Sequence, residues 1–142
     1  MSREANKAIA RRWFNAWYLG DPAVIDELVA PDFTRAGRAL GPEGARQVFQ
    51  GLHNAWSDST FTIEEMLAED DKVMVRFTGA STQSGAINHP VFGHIPASGT
   101  RAPHAGVNIY RIVDGKVAEE TTQHDGLGIF LALGAIQPAA KT

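Results

Sequence analysis

The stretch Gly106-Val-Asn-Ile-Tyr-Arg-Ile-Val-Asp-Gly-Lys-Val-Ala-Glu-Glu-Thr-Thr-Gln-His-Asp125 reads as two strands folded back on each other. Gly106 to Ile112 forms the first arm and Val117 to Gln123 the second. Asp114-Gly115 between them is a strong hairpin signal, because the tight turns that match strand twist need positive φ, which Gly and Asp tolerate. The same period of two occurs upstream. Phe61 and Ile63 alternate with Thr62 and Glu64, and, after the acidic turn Glu69-Asp70-Asp71, Val73, Val75 and Phe77 alternate with Met74, Arg76 and Thr78.

Nearer the N-terminus the period is that of a helix. Ala10, Trp13, Phe14, Trp17 and Tyr18 form an aromatic stripe, with Arg3, Lys7 and Arg11 off it and Gly20 as a stop. Asp21-Pro22 starts a short second helix with an Ile25, Leu28 and Val29 face, which Pro31 ends. Gly41-Pro42-Glu43 starts a third, with Ala45, Val48, Phe49, Leu52 and Trp56 as its stripe and His53 at the edge. Asp125 precedes a last apolar helix, Leu127 to Leu133. Helices first and strands afterwards predict an α+β domain: a curved antiparallel sheet with N-terminal helices enclosing a small pocket. Residues 79–101, rich in Gly, Ser and Pro, read as a long loop, either a lid over the pocket or a surface excursion.

The 142 residues suit one domain, 1–142. With no cysteine, disulfides, thiolate ligands and a cysteine nucleophile are excluded. A net charge of -3 gives no reason to expect nucleic acid. No run approaches the roughly 18 apolar residues of a membrane span. Charges throughout Met1 to Arg12 leave no room for a signal-peptide core, so the cytoplasm is the expected compartment. His89, His94, His104 and His124 match no common zinc spacing, and no metal or other cofactor is expected. A Gly-x-Ser-x-Gly elbow and a phosphate loop are both missing.

Several stretches resemble the SnoaL-like polyketide cyclase family of the nuclear transport factor 2-like superfamily. They are Asn6-Lys7 with Trp13-Phe14, Asp26 to Phe33, Gly41-Pro42-Glu43-Gly44, Asp71-Lys72-Val73 with Val75-Arg76-Phe77, Tyr110 to Lys116, and Glu119-Glu120 with Asp125 to Gly128. No single one is specific; their order along nearly the whole chain is. The resemblance implies a cone-shaped barrel, a small-molecule ligand, and a homodimer packed through the outer sheet face. It also implies cofactor-free ring closure by a histidine and an aspartate on the last two strands. Those positions hold Asn108 and Thr122 here, neither an acid or base near neutral pH. Related epoxide-opening enzymes pair two aspartates with an arginine.

Strand alternation puts His104 on the side of Asn108, and His124 on the side of Thr122. A three-residue turn with a glycine bulge at Gly115, the favoured register, sets His104 opposite His124; a two-residue turn sets it opposite Asp125. Either makes His104 a candidate general base or acid, with His124 or Asp125 as its helper. The plainer reading leaves His104 on the rim and Asp125 as a helix cap. Asn108 and Thr122 are candidates to hold a carbonyl or enolate oxygen. Trp17, Tyr18, Phe49, His53 and Trp56 are candidate ligand contacts, although aromatic stripes more often form core. Arg76 is expected to point away from the core. The function expected is cofactor-free acid/base catalysis on a small, mainly apolar carbonyl compound. The alternatives are a non-catalytic binding domain or an epoxide hydrolase-like enzyme.

Overall fold

The computed structural model describes residues 1–140; the last two residues of the expected 1–142 domain lie outside the described residues. In chain order the elements are α1 (Arg3–Leu19), α2 (Pro22–Leu28), β1 (Val29–Arg35), β2 (Arg38–Ala39), α3 (Gly41–Ala55), β3 (Trp56–Glu69), β4 (Lys72–Gln83), β5 (Ile87–His89), β6 (Gly93–Ile95), β7 (Arg101–Val113), β8 (Lys116–His124) and α4 (Gly126–Ala132). The main sheet has the order β2-β1-β8-β7-β4-β3, and β5-β6 forms a separate hairpin. Neighbours in the sheet run antiparallel except β1, which lies parallel beside β8.

α1 lies against the concave face. Ser2 caps it by accepting from Ala5 N at 3.1 Å, and Gly20 closes it in the left-handed region, with φ of 94°. Its stripe is the centre of the core. Trp13, Phe14 and Trp17 are at most 1% exposed and pack with Phe33, Val73, Val75, Phe77, Tyr110 and Ile112. Trp13 and Trp17 stack with ring centroids 5.5 Å apart. Aromatic side chains of this size fill the narrow end of the curved sheet.

Four local expectations need correction. Pro31 does not simply end a helix: α2 stops at Leu28, and Val29 and Pro31 lie in strand β1. The pairing of β1 with β8 shifts register between Val29 and Thr34, which accommodates a residue with no N–H to donate. Trp56 is the first residue of β3, with extended φ of -124°, and not the last of the α3 stripe. Residues 79–101 are not one loop. β4 runs on to Gln83, the β5–β6 hairpin stands in the middle, and β7 starts at Arg101. Fully buried Gln83 ties this segment down. Its Nε2 donates to the carbonyls of Gly85, Ile95 and Pro96 at 3.0–3.4 Å, and its Oε1 accepts from Ser98 at 2.6 Å.

The fourth correction is the β7–β8 register. The turn is the two-residue type, with Val113 opposite Lys116 and positive φ at Asp114 and Gly115. The bulge lies further along, where Ile112 faces Val117 but Arg111 faces Glu119, so Val117 and Ala118 are both buried. This brings Asn108 opposite Thr122 and His124 opposite Gly106. Neither His124 nor Asp125 is the direct partner of His104, which sits opposite Gly79 of β4. Arg76 is on the outer face, as expected, 4.0 Å from Glu65.

Gly79 is required where it stands. A Cβ there would come within 2.5 Å of both the Thr60 carbonyl and the Phe61 ring. Gly79→Ala is therefore expected to lower unfolding free energy by about 1–3 kcal/mol, as overpacking does. Urea titration monitored by tryptophan fluorescence checks this.

Candidate active site

The open end of the cone holds a cavity of about 170 Å³. α1 supplies Trp17 and Tyr18 to its wall, β1 Arg35, α3 Leu52, β3 Trp56 and Phe61, and β4 Phe77. His104 comes from β7, Thr122 and His124 from β8, Ile87 from the hairpin, and Ile129 and Phe130 from α4. The hairpin is joined to α4 through aromatic contacts: His89, Phe92 and Phe130 pack with centroids 4.7–5.0 Å apart. A larger concavity of about 740 Å³ on the outer sheet face, near Arg3, Leu67 and Ile109, is wide open to solvent, which suits a surface trough better than a reaction site.

His104 is the most unusual group in the wall. Its ring meets Trp56 edge-on at 4.8 Å and lies 5.5 Å from Phe61. Its Nε2 is buried with no hydrogen-bond partner among the described residues. Burial lowers its pKa to about 4, with the positive charges of His124 and Arg101 adding to the effect. The ring is thus neutral at physiological pH. His124 stands at the rim, its pKa lowered by burial and then by Arg35, while Asp125 pulls the other way.

A polar cluster lies beside the cavity, in the core. Asn108 Nδ2 donates to the hydroxyls of Tyr18 at 2.9 Å and Tyr110 at 3.0 Å. Glu120, whose side chain is 0% exposed, accepts from Arg35 Nε at 3.0 Å. Burial pushes Glu120 above the usual carboxylate range, and the Arg35 contact opposes this only in part. The Arg35 guanidinium sits 5.6 Å from the centre of the Trp17 ring. Burial also raises the Tyr18 and Tyr110 phenols.

The expected site residues divide accordingly. His104, His124, Trp17, Tyr18, Trp56 and Thr122 share the wall. His53 does not reach the main cavity. Its Nε2 lies 2.8 Å from the Trp17 carbonyl, and it lines an adjoining void of about 30 Å³ with Ser59 and Ser81. Phe49 packs behind Trp17, and Asn108 is fully buried beneath Tyr18; neither lines the cavity. Asp125 is exposed and caps α4, accepting from Gly128 N at 2.9 Å. His89 and His94 belong to the hairpin, His94 contacting Asn88 at 2.8 Å. No cluster of three or more His, Asp or Glu that could hold a metal occurs among the described residues.

Arg35 and Glu120 are the residues that sequence reasoning missed. Glu120 has the same strand parity as Thr122 and His124, so alternation alone places it inward. Arg35 had no such signal while β1 went unread.

A cone of curved sheet around one aromatic helix, hollow at its open end, defines the nuclear transport factor 2-like class. The chain belongs to the SnoaL-like polyketide cyclase family, matching it over residues 7–133. Among solved structures it is similar to TsrD from Streptomyces laurentii, at 28% identity and a TM-score of 0.82, covering 96% of this chain and 99% of that one. AclR from Streptomyces galilaeus aligns at 23% identity and TM-score 0.80, covering 99% and 91%. An LEH-like epoxide hydrolase from M. tuberculosis aligns at 13% and 0.69, covering 92% and 90%. The last two bear on the fold alone. No curated protein matches the sequence. No helix among the described residues is long and apolar enough to cross a membrane.

The histidine shift makes stability depend on pH. His104 binds its proton near 6.5 when unfolded and near 4 when folded. Between those values the unfolded chain holds more protons, so stability falls as pH falls. Glu120, shifted upward, acts in the opposite sense. Thermal unfolding from pH 7 to pH 4 is expected to fall less steeply in His104→Gln than in the parent.

Proposed function

We propose that this chain is a cofactor-free acid/base enzyme that moves a proton on a small, mainly apolar carbonyl compound. The supporting observation is the unpartnered, buried Nε2 of His104 on the wall of an aromatic cavity. A neutral imidazole there takes a proton from the carbon beside the carbonyl. The electron pair moves onto the oxygen, giving an enolate next to an imidazolium. That pairing raises the affinity of the ring for its proton and offsets the weak basicity of the empty site. Tyr18 accepts from Asn108 and neighbours the Thr122 hydroxyl, and these two wall hydroxyls are the groups we assign to the enolate oxygen. His124 at the rim exchanges the proton with water.

From the enolate three outcomes balance. The imidazolium returns its proton to another carbon in an isomerisation; or gives it to a β-hydroxyl, which leaves as water in a lyase reaction; or gives it to the oxygen of a second carbonyl in the same molecule as the enolate carbon attacks that carbonyl and closes a ring. Epoxide opening has weaker support, because Arg35 has one buried acid, Glu120, and no carboxylate among the described residues lines the cavity. The non-catalytic alternative draws on Asn108 and Thr122, which occupy the family's acid/base positions.

Deuterium wash-in from D2O at the carbon next to the carbonyl of small ketones, followed by NMR, tests the catalytic reading. His104→Gln is expected to lower the exchange rate by about 10²–10⁴-fold, the usual weight of a general base. Asp125→Asn should leave it nearly unchanged. Equal rates in the parent and His104→Gln would remove His104 from the chemistry.

A homodimer through the outer sheet face belongs to the same proposal. Leu67, Met74 and Ile109 lie in register across three strands, with Leu67 58% and Ile109 40% exposed. Adjacent exposed apolar side chains on a sheet favour a partner. Sedimentation velocity should show a dimer that Ile109→Lys converts to monomer.

A further inference from the structure

Among the described residues, the cavity wall carries Arg35, His104 and His124 and no carboxylate. Glu120, the acid paired with Arg35, is sequestered: it is fully buried and meets Arg35 at its Nε edge. Among the described residues, neither terminal Nη of Arg35 has a protein hydrogen-bond partner, although 26% of its side chain remains exposed. A guanidinium held at Nε and stacked near Trp17 has its other edge available for a planar oxyanion, for which the fork geometry is suited. Arg101 adds to the positive field near His104. Its partners are the carbonyls of Asp58 and Ala80 and the hydroxyls of Thr60 and Thr82, and among the described residues no acid pairs with it. Asp125, the one acid beside His124 in sequence, is committed to the α4 cap.

Size narrows the ligand further. An apolar cavity of about 150 Å³ accommodates one benzene ring. At about 170 Å³ this one takes a single-ring body, and three fused rings would not fit inside it.

We propose that the ligand is a single-ring or comparably short carbonyl acid, its carboxylate on the free Nη edge of Arg35 and its reactive carbon at His104. This rests on the reading of the cavity as the reaction site and adds the substrate class to it. Glu120 is then a positioning residue: it holds Arg35 by Nε and leaves the opposite edge for the ligand.

Titration calorimetry of the whole protein with benzoate, methyl benzoate and anthracene-2-carboxylate tests the proposal without knowledge of the natural substrate. Benzoate is expected to bind about tenfold or more tightly than its methyl ester, in keeping with a charge-assisted bidentate contact. Anthracene-2-carboxylate should bind more weakly than benzoate. Methyl benzoate binding as tightly as benzoate overturns the anion anchor, and equal binding of the three-ring acid overturns the size limit. The double variant Arg35→Met/Glu120→Gln removes both charges together and should abolish the preference for acid over ester. If it does not fold, the comparison on the parent protein still decides. His104→Gln should keep the benzoate preference while losing deuterium exchange. A parent protein that prefers benzoate but exchanges no ketone contradicts only the catalytic reading; exchange with no preference for acid over ester contradicts only the anchor.

Discussion

Strands of 12 to 14 residues curl around α1, and the space they enclose is filled only as far as the aromatic side chains of that helix reach. Trp13 and Phe14 close the narrow end completely, each at 0% exposure. Towards the helix C-terminus the stripe ends at Trp17 and Tyr18, and beyond them the sheet goes on past the reach of α1. The cavity is the part of the concave face that α1 cannot fill, roofed by the hairpin and α4. Its aromatic lining follows from the same stripe, whose last two rings belong to both core and wall.

Arg35 and Glu120 connect that architecture to chemistry. A buried ion pair contributes little net stability, but losing one partner leaves a desolvated charge and costs about 3–5 kcal/mol. The pair links β1 to β8 across the parallel junction of the sheet, with Arg35 also on the cavity wall. Asn108, once the tyrosines engage it, is a structural group that fixes the Tyr18 hydroxyl. An amide suits that task because it can donate to two hydroxyls at once.

Most of the fold was legible because periodicity is a strong signal where one face is buried. The α1 stripe and the alternation in β3, β4, β7 and β8 all correspond to real elements. The misses share a physical origin. Pro31 is a helix breaker by local chemistry, and only the neighbouring strand shows that it can sit beside a register shift. The bulge at Val117-Ala118 depends on packing both residues inward, which spacing cannot report. Residues 79–101 looked structureless because they are rich in Gly, Ser and Pro, whereas their order draws on Gln83, a buried polar anchor within the segment whose partners its spacing does not reveal. In the site, parity placed His104, His124 and Thr122 on the inner face. It could not distinguish a residue in the wall, such as Tyr18, from one beneath it, such as Asn108, nor show that Asp125 is occupied by a backbone N–H.

Gln83 also bears on how such a protein changes over time. The side chain contacts both ends of the excursion, at Gly85 and at Pro96, and leaves the stretch from Asn88 to His94 outside its grasp. That stretch can be lengthened, shortened or recomposed without disturbing any ladder of the main sheet, since β5 and β6 pair only with each other. Ile87, at its base, remains on the cavity wall throughout. A lineage carrying this clamp can therefore try new roofs over an old floor, altering what enters while the folding core goes unaltered.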